Sequence, residues 1–362
     1  MNYDNKIRVG ITHGDINGVG YEVILKAFED PTMLEFCTPV IYGSSKAASY
    51  HRKTLNLQTA FTTISNISEA THNRLYLIEV SNDDLKVEIG QPSAEAGESA
   101  LAALERAIKD MKEGSIDVLV TAPINKHTIQ NAEFHFPGHT EYLEERLGDG
   151  KKSLMILMKD SLRVALVTTH IPITKVASSI TKELIKEKAK IFAKTLNSDF
   201  GKGRPRIAIL SLNPHAGDDG LLGNEEGEII TPAIKELVTE GIQAFGPYPA
   251  DGFFGSDKYT HFDGILAMYH DQGLAPFKAI AMEEGINYTA GLPIVRTSPA
   301  HGTAYDIAGK GIASAESFRQ AIYAGIDIFR TRKSNDQAHQ NPLRKQFYDR
   351  RDDSDKLKLD EE

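Results

Sequence analysis

The chain has 362 residues, 41% apolar and 25% charged, which is enough for two domains and for a core that needs no covalent staples. A single cysteine, Cys37, excludes an intramolecular disulfide and a cysteine-rich zinc module, and points to a reducing compartment. The net charge of −9 argues against a uniformly basic nucleic-acid surface, although a few local Arg and Lys residues can still line a pocket for a small anion.

The N-terminal MNYDNKIRVG carries no apolar run of signal-peptide length, and no later stretch approaches the ~20 apolar residues of a membrane span. The expectation is a soluble cytoplasmic protein with no membrane or nucleic-acid partner. In chain order, strands are predicted at 7–12, 39–42, 74–80, 116–120, 153–158, 163–168, 206–212 and 265–269. Helical spacing of apolar residues marks 94–113, 183–196, 226–240 and 315–332. Several strands are continuous apolar runs, such as VLV and IAIL, which suit strands covered on both faces. Strands alternating with helices predict an α/β fold with a mostly parallel sheet. From Lys333 onward the chain holds seven basic and eight acidic residues and few large apolar ones, so a solvated extension with no assigned chemistry is expected.

Polar clusters fall in turn-rich segments, several of them directly after a predicted strand, which in open α/β sheets is where the ligand crevice lies. Three of the twelve histidines, His170, His215 and His270, follow strong strand patterns. A parallel sheet brings successive strand ends together, and three converging imidazoles would suit Zn²⁺ or a similar divalent ion with a position left for substrate. Asp251 and Asp271 would orient these ligands or complete the coordination. The bland alternative is that each histidine caps a strand or bonds a loop.

His139 and Thr140, in Pro137-Gly138-His139-Thr140-Glu141, precede a helical YLEERL, so either an anion-binding helix start or an ordinary N-cap is expected. Lys278, Asn287 and Arg296 lie in a stretch too irregular for a plain helix; Arg can hold a phosphate bidentately and Lys as a point charge. The loop Gly14-Asp15-Ile16-Asn17-Gly18-Val19-Gly20 is neither G-x-G-x-x-G nor a P-loop. The glycine-rich run from His301 to Gly311 permits close backbone approach to a cofactor, and Asp306 would accept from a ribose or adenine edge; a purely structural loop is the alternative.

These segments together resemble one family. ITHGDINGVGYEVILKAF, LVTAPINKHTI, FPGHTEYL, LVTTHIPI, LSLNPHAGDDGLLGNEE, GPYPAD, MYHDQGLAPFK and GLPIVRTSPAHGTAYDIAGKG, in that order, are similar to the 4-hydroxythreonine-4-phosphate dehydrogenase (PdxA) family. The resemblance implies an isocitrate/isopropylmalate dehydrogenase-like fold, with two α/β domains flanking a cleft in a homodimer. Residues 1–123 with 276–332 would form one domain, 124–275 the other, and 333–362 a polar extension. It implies a divalent metal (Zn, Mg or Co) on His170, His215 and His270, one of them drawn from the partner subunit. Substrate contacts would be His139, Thr140, Lys278, Asn287 and Arg296. NAD or NADP would lie on the loop carrying His301, Gly302, Thr303 and Asp306, without a Rossmann fingerprint. Ile16-Asn17 stands where the family usually has Pro-Ala, and the tail after Arg332 is longer than usual.

The implied reaction is oxidation of 4-hydroxy-L-threonine 4-phosphate to a 3-keto acid that decarboxylates to 3-amino-2-oxopropyl phosphate, in vitamin B6 biosynthesis. Lys278, Asp251 or Asp271 would take the alcohol proton. Threonate or erythronate 4-phosphate is the alternative substrate. A rival class is a metal-dependent phosphoester hydrolase, which would use the same histidines to activate water and would need no dinucleotide.

Overall fold

The computed structural model describes residues 6–80, 85–130 and 134–341. Its strands are β1 (Ile7–Thr12), β2 (Cys37–Gly43), β3 (Thr62–Ile64), β4 (Tyr76–Glu79), β5 (Val118–Thr121), β6 (Leu154–Lys159), β7 (Leu162–Leu166), β8 (Arg206–Leu210), β9 (Gln243–Tyr248), β10 (Gly264–Ala267), β11 (Ile286–Ala290) and β12 (Arg296–Pro299). The helices are α1 (Gly20–Ala27), α2 (Met33–Phe36), α3 (Ser45–Thr54), α4 (Ala94–Lys112), α5 (His139–Leu147), α6 (Ile173–Ser179), α7 (Lys182–Ser198), α8 (Thr231–Thr239), α9 (Ala250–Phe254), α10 (His270–Ala281) and α11 (Glu316–Gln340).

All twelve strands join one sheet in the order β3-β4-β2-β1-β5-β12-β11-β6-β7-β10-β8-β9. The fold is α/β, and the expected strands are present. Its outer pairings are parallel, as the apolar runs predict, but the centre is not. The β12–β11, β11–β6 and β6–β7 pairs are antiparallel. Burial explains the parallel part: β2 and β5 are buried along their whole length, with helices such as α4 packed against them.

Four strands are absent from the sequence reading. β3 is a short edge strand, and β9 contains Gly246-Pro247 in a half-exposed edge. β11 and β12 carry Asn287, Thr289, Arg296 and Ser298 where an apolar run would announce a strand. The segment 270–278, expected as turn, is the start of α10, despite Gly273 and Pro276 inside it. A Cβ on Gly273 would stand 2.8 Å from Leu166 Cδ2 and 3.0 Å from Val164 Cγ1, so this glycine lets the helix press onto β7. Lys278 therefore sits on a helix and not in irregular chain. The helix expected at 315–332 runs on to Gln340, so the polar extension begins as helix; its remainder, 342–362, lies outside the described residues. Among the described residues no helix is long and apolar enough to cross a membrane.

Under the first loop lies a buried stack of rings. His13 is parallel to Tyr21 with centroids 5.2 Å apart, and Tyr21 meets His51 at 5.5 Å. Burial pushes the His13 imidazole down to about 4, and the neighbouring His51 adds to this against hydrogen bonds to Ser99 and Gly14. The unfolded chain therefore binds a proton at His13 between pH 6.5 and 4 that the folded chain refuses. This contribution to stability is complete above about pH 6.5 and is lost as pH falls toward 4. His13→Phe should make the fall in unfolding free energy over that window shallower by about 3 kcal/mol. Denaturant titrations at several pH values measure it, and equal slopes in variant and wild type would show that His13 titrates freely in the fold.

Candidate active site

A cavity of about 260 Å³ opens where β5, β11 and β12 end beside α5 and α10. Its floor follows from strand period. Asn287 and Thr289 on β11 face Ser298 and Arg296 on β12, directly opposite in register. Alternation puts all four on one face, and Tyr288 and Thr297 on the other. Of the four, Asn287, Arg296 and Ser298 line the cavity.

Arg296 is the centre of this floor. It is only 2% exposed, yet its described bonds go to hydroxyls. Nε reaches Thr121 Oγ1 at 3.1 Å, Nη1 reaches Thr289 Oγ1 at 3.1 Å, and Nη2 also donates to Thr121. Burial pulls the guanidinium down to about 9, against the attraction of Glu141, so it remains a cation at neutral pH. A buried guanidinium whose described hydrogen bonds go to hydroxyls has the chemistry to bind an anion, because a hydrogen-bonded counter-charge offsets the cost of burying it.

α5 points its N-terminus into the same space. Gly138 is its N-cap and makes no side-chain cap, so Thr140 is not the capping residue that one reading allowed. His139 and Thr140 both line the cavity, and Thr140 Oγ1 lies 3.4 Å from Thr289 Oγ1. Burial, with the positive charges of Arg296 and Lys126, holds His139 well below the usual imidazole range. His139 is therefore neutral at pH 7.

His170, after β7, and His270, at the start of α10, meet at the cavity wall with ring centroids 5.8 Å apart. Each has a carboxylate behind it: His170 Nδ1 is 3.3 Å from Glu141 Oε1, and His270 Nδ1 is 2.7 Å from Asp271 Oδ1. Burial pushes the Glu141 carboxyl up, but the hydrogen bonds from His170 and its own backbone, and the charges of His170 and Lys126, hold it below its ordinary value. Glu141 Oε2 is buried and has no hydrogen-bond partner among the described residues.

The third histidine is elsewhere. His215 is exposed on the segment Pro214–Gly220 and does not line the cavity. From His215 to Asp219 five consecutive residues have positive φ, between 46° and 83°, four of them not glycine. Such backbone is costly and persists only when held. Glu226 holds it here, accepting from the amides of Leu212 at 2.8 Å and Asn213 at 2.7 Å. The convergence of three imidazoles expected from position alone is therefore reduced to two within one chain. Among the described residues no group of three His, Cys, Asp or Glu could hold a metal ion.

The remaining expected residues divide. Lys278 lines the cavity from α10 and is exposed at its rim. Asp251 and Asp271 line a neighbouring cavity of about 490 Å³. His301 and Gly302 line the first cavity. His301 Nδ1 donates to Gly302 O at 2.9 Å, Nε2 is buried with no partner among the described residues, and burial lowers its pKa against that hydrogen bond. Thr303 and Asp306 do not line it; Asp306 is exposed, and Thr303 O accepts from Val19 N at 3.0 Å. Sequence reading missed Thr121, Lys126, Glu141 and Ser298 at the cavity. The polar alternation of INYTA against RTSP was the available signal for Ser298.

The profile of the family described as pyridoxal phosphate biosynthetic protein PdxA matches residues 35–325. The chain is 70% identical over 357 residues to a protein of Bacteroides thetaiotaomicron named 4-hydroxythreonine-4-phosphate dehydrogenase, covering 99% of this chain and 98% of that one. It is 38% identical over 328 residues to a protein of Oceanobacillus iheyensis provisionally named D-threonate 4-phosphate dehydrogenase, covering 90% and 98%. A crystal structure of 4-hydroxythreonine-4-phosphate dehydrogenase from Klebsiella pneumoniae superposes with a TM-score of 0.78 at 32% identity, over 91% of this chain and 99% of that one.

Proposed function

The chain belongs to the PdxA family, and on that premise we propose that it oxidises 4-hydroxy-L-threonine 4-phosphate with NAD or NADP, in the vitamin B6 pathway. The observation that carries the reading is Arg296: a buried cation, whose hydrogen bonds among the described residues go to hydroxyls, on the floor of a cavity walled by two imidazoles. Arg296, with His139 and Thr140 at the start of α5, would bind the phosphate or carboxylate of the substrate.

His170 and His270 fit a metal site, each with a carboxylate at its Nδ1 that orients the ring. With His215 of a second copy of the chain they would hold a divalent cation (zinc, magnesium or cobalt), whose chemistry when bound is Lewis-acid polarisation of the alcohol. Exposed apolar residues just after two of the three histidines support a homodimer with a shared site: Ile173 is 69% exposed and Leu221 78%. His301, Gly302, Thr303 and Asp306 would bind the dinucleotide, whose nicotinamide supplies the hydride acceptor. Lys278 would receive the alcohol proton, since it alone of Lys278, Asp251 and Asp271 lines the cavity. The product is a 3-keto acid that loses CO₂ to give 3-amino-2-oxopropyl phosphate. We place the cleft between a lobe of 1–123 with 276–332 and a lobe of 124–275; the sheet order, in which β1–β5, β11 and β12 lie on one side and β6–β10 on the other, supports that division.

The Oceanobacillus relative supports D-threonate 4-phosphate as a second substrate. NAD(P)H formation measured on 4-hydroxythreonine, threonate and erythronate 4-phosphates decides between them. The reading expects kcat/KM at least about tenfold higher on the amino acid, one well-placed polar contact being worth about that factor. A higher kcat/KM on threonate phosphate would move the assignment to it.

A further inference from the structure

Two strand-end loops contribute to the cavity lining, 122–130 after β5 and 300–311 after β12, and a third, 13–19 after β1, is hydrogen-bonded to both. One phenol ties them together. Tyr305 OH donates to Asp15 Oδ2 at 2.6 Å and accepts from Asn125 Nδ2 at 2.9 Å. A tyrosine hydroxyl has one proton to give, and here it also uses its acceptor capacity. Asp15 is itself fixed: its Oδ1 accepts from Asn17 N at 2.9 Å, and its N donates to Pro123 O at 2.9 Å. A Cβ on Gly18 would lie 2.7 Å from Thr303 O, so the first and last loops touch backbone to backbone. Asn17, standing where the family usually has alanine, extends the platform. Its Nδ2 donates to Gln91 O at 2.8 Å, and its Oδ1 accepts from Glu88 N at 2.7 Å.

We propose that the Tyr305 hydroxyl is a positioning group for the dinucleotide, because it holds the 300–311 loop at a fixed distance from the 123–126 wall of the cavity. This rests on the dehydrogenase reading above. His301 and Gly302 on one side and Pro123, Ile124 and Lys126 on the other all line the cavity, and Tyr305 bridges the two loops a few residues away. Untying it leaves a backbone platform that must be ordered when the ligand binds, and that ordering weakens affinity. The hydrophobic core is not touched, so the effect falls on the ligand more than on the fold.

The test is calorimetric titration of the full-length protein with NAD⁺ and with NADP⁺, comparing wild type, Tyr305→Phe and Asp15→Asn. Asp15→Asn is nearly isosteric, keeps Oδ1 for Asn17 and removes the acceptor that Tyr305 uses. Each variant should weaken Kd for the preferred dinucleotide about tenfold, the effect of about one hydrogen bond. The double variant should be no weaker than the worse single one, because both break the same contact. The KM for dinucleotide should rise by a similar factor with kcat changed less than about twofold, and amide exchange at 303–308 should speed up without ligand. A Kd within about twofold of wild type in both variants overturns the inference while leaving the dehydrogenase reading in place. Wild-type protein that binds neither dinucleotide overturns both.

Discussion

Arg296→Met should lower kcat/KM for the phosphorylated substrate by about 10³-fold or more without lowering the melting temperature. The two halves of that expectation share one cause. The guanidinium is buried and bonded to Thr121 and Thr289, with no carboxylate among its described hydrogen-bond partners. Burying a cation on hydroxyl partners costs stability, so a methionine of similar length is neutral or stabilising. On the proposed reading it pairs with the anion of the substrate, and truncating a desolvated, hydrogen-bonded charge pair costs about 2–5 kcal/mol, to which misplacement of the reacting alcohol adds. Arg296→Lys should recover little, because a point charge cannot span Thr121, Thr289 and an anion as the planar fork does. Steady-state kinetics beside thermal melting measure both halves. A kcat/KM within about threefold of wild type would remove Arg296 from the site.

The histidines give the second large effect. His170→Ala, His270→Ala and His215→Ala should each reduce turnover by about 10³-fold or more, the several kcal/mol that Lewis-acid assistance supplies. His215 is the instructive one, since it lies outside the cavity and is exposed, so its loss should leave the fold intact. Mixing inactive His170→Ala with inactive His215→Ala, then allowing subunits to exchange, should restore about a quarter of wild-type activity. Half of the dimers are then mixed, and each mixed dimer has one of its two sites intact. No recovery on mixing would place His215 outside any shared site, and full activity of His215→Ala without bound metal would remove it from the ligands.

Legibility in the sequence followed burial. Strands such as β5 and β8 announced themselves as continuous apolar runs because both their faces are covered. β11 and β12 did not, because one face of each carries the polar residues of the site, and function there overrode the apolar signal. Gly273 and Pro276 disguised α10 as a turn. The glycine is there because the helix lies against Val164 and Leu166, a reason visible only once the two elements are packed together. The three histidines were legible as a group because each follows a strand. That His215 stays outside the cavity of the other two goes with five left-handed residues and the Glu226 bonds beside them, which spacing does not encode. Glu141 was quoted in its motif but given no role, because its value comes from His170, 29 residues later.

The central claim is that this cavity oxidises a phosphorylated hydroxy acid and does not hydrolyse it. The most direct measurement is product stoichiometry from 4-hydroxythreonine 4-phosphate and NAD(P)⁺, with and without a chelator. The account predicts one NAD(P)H and one CO₂ per substrate consumed, with the phosphate ester kept intact, and no reaction once the metal is removed. Release of inorganic phosphate with no reduced nicotinamide would contradict it.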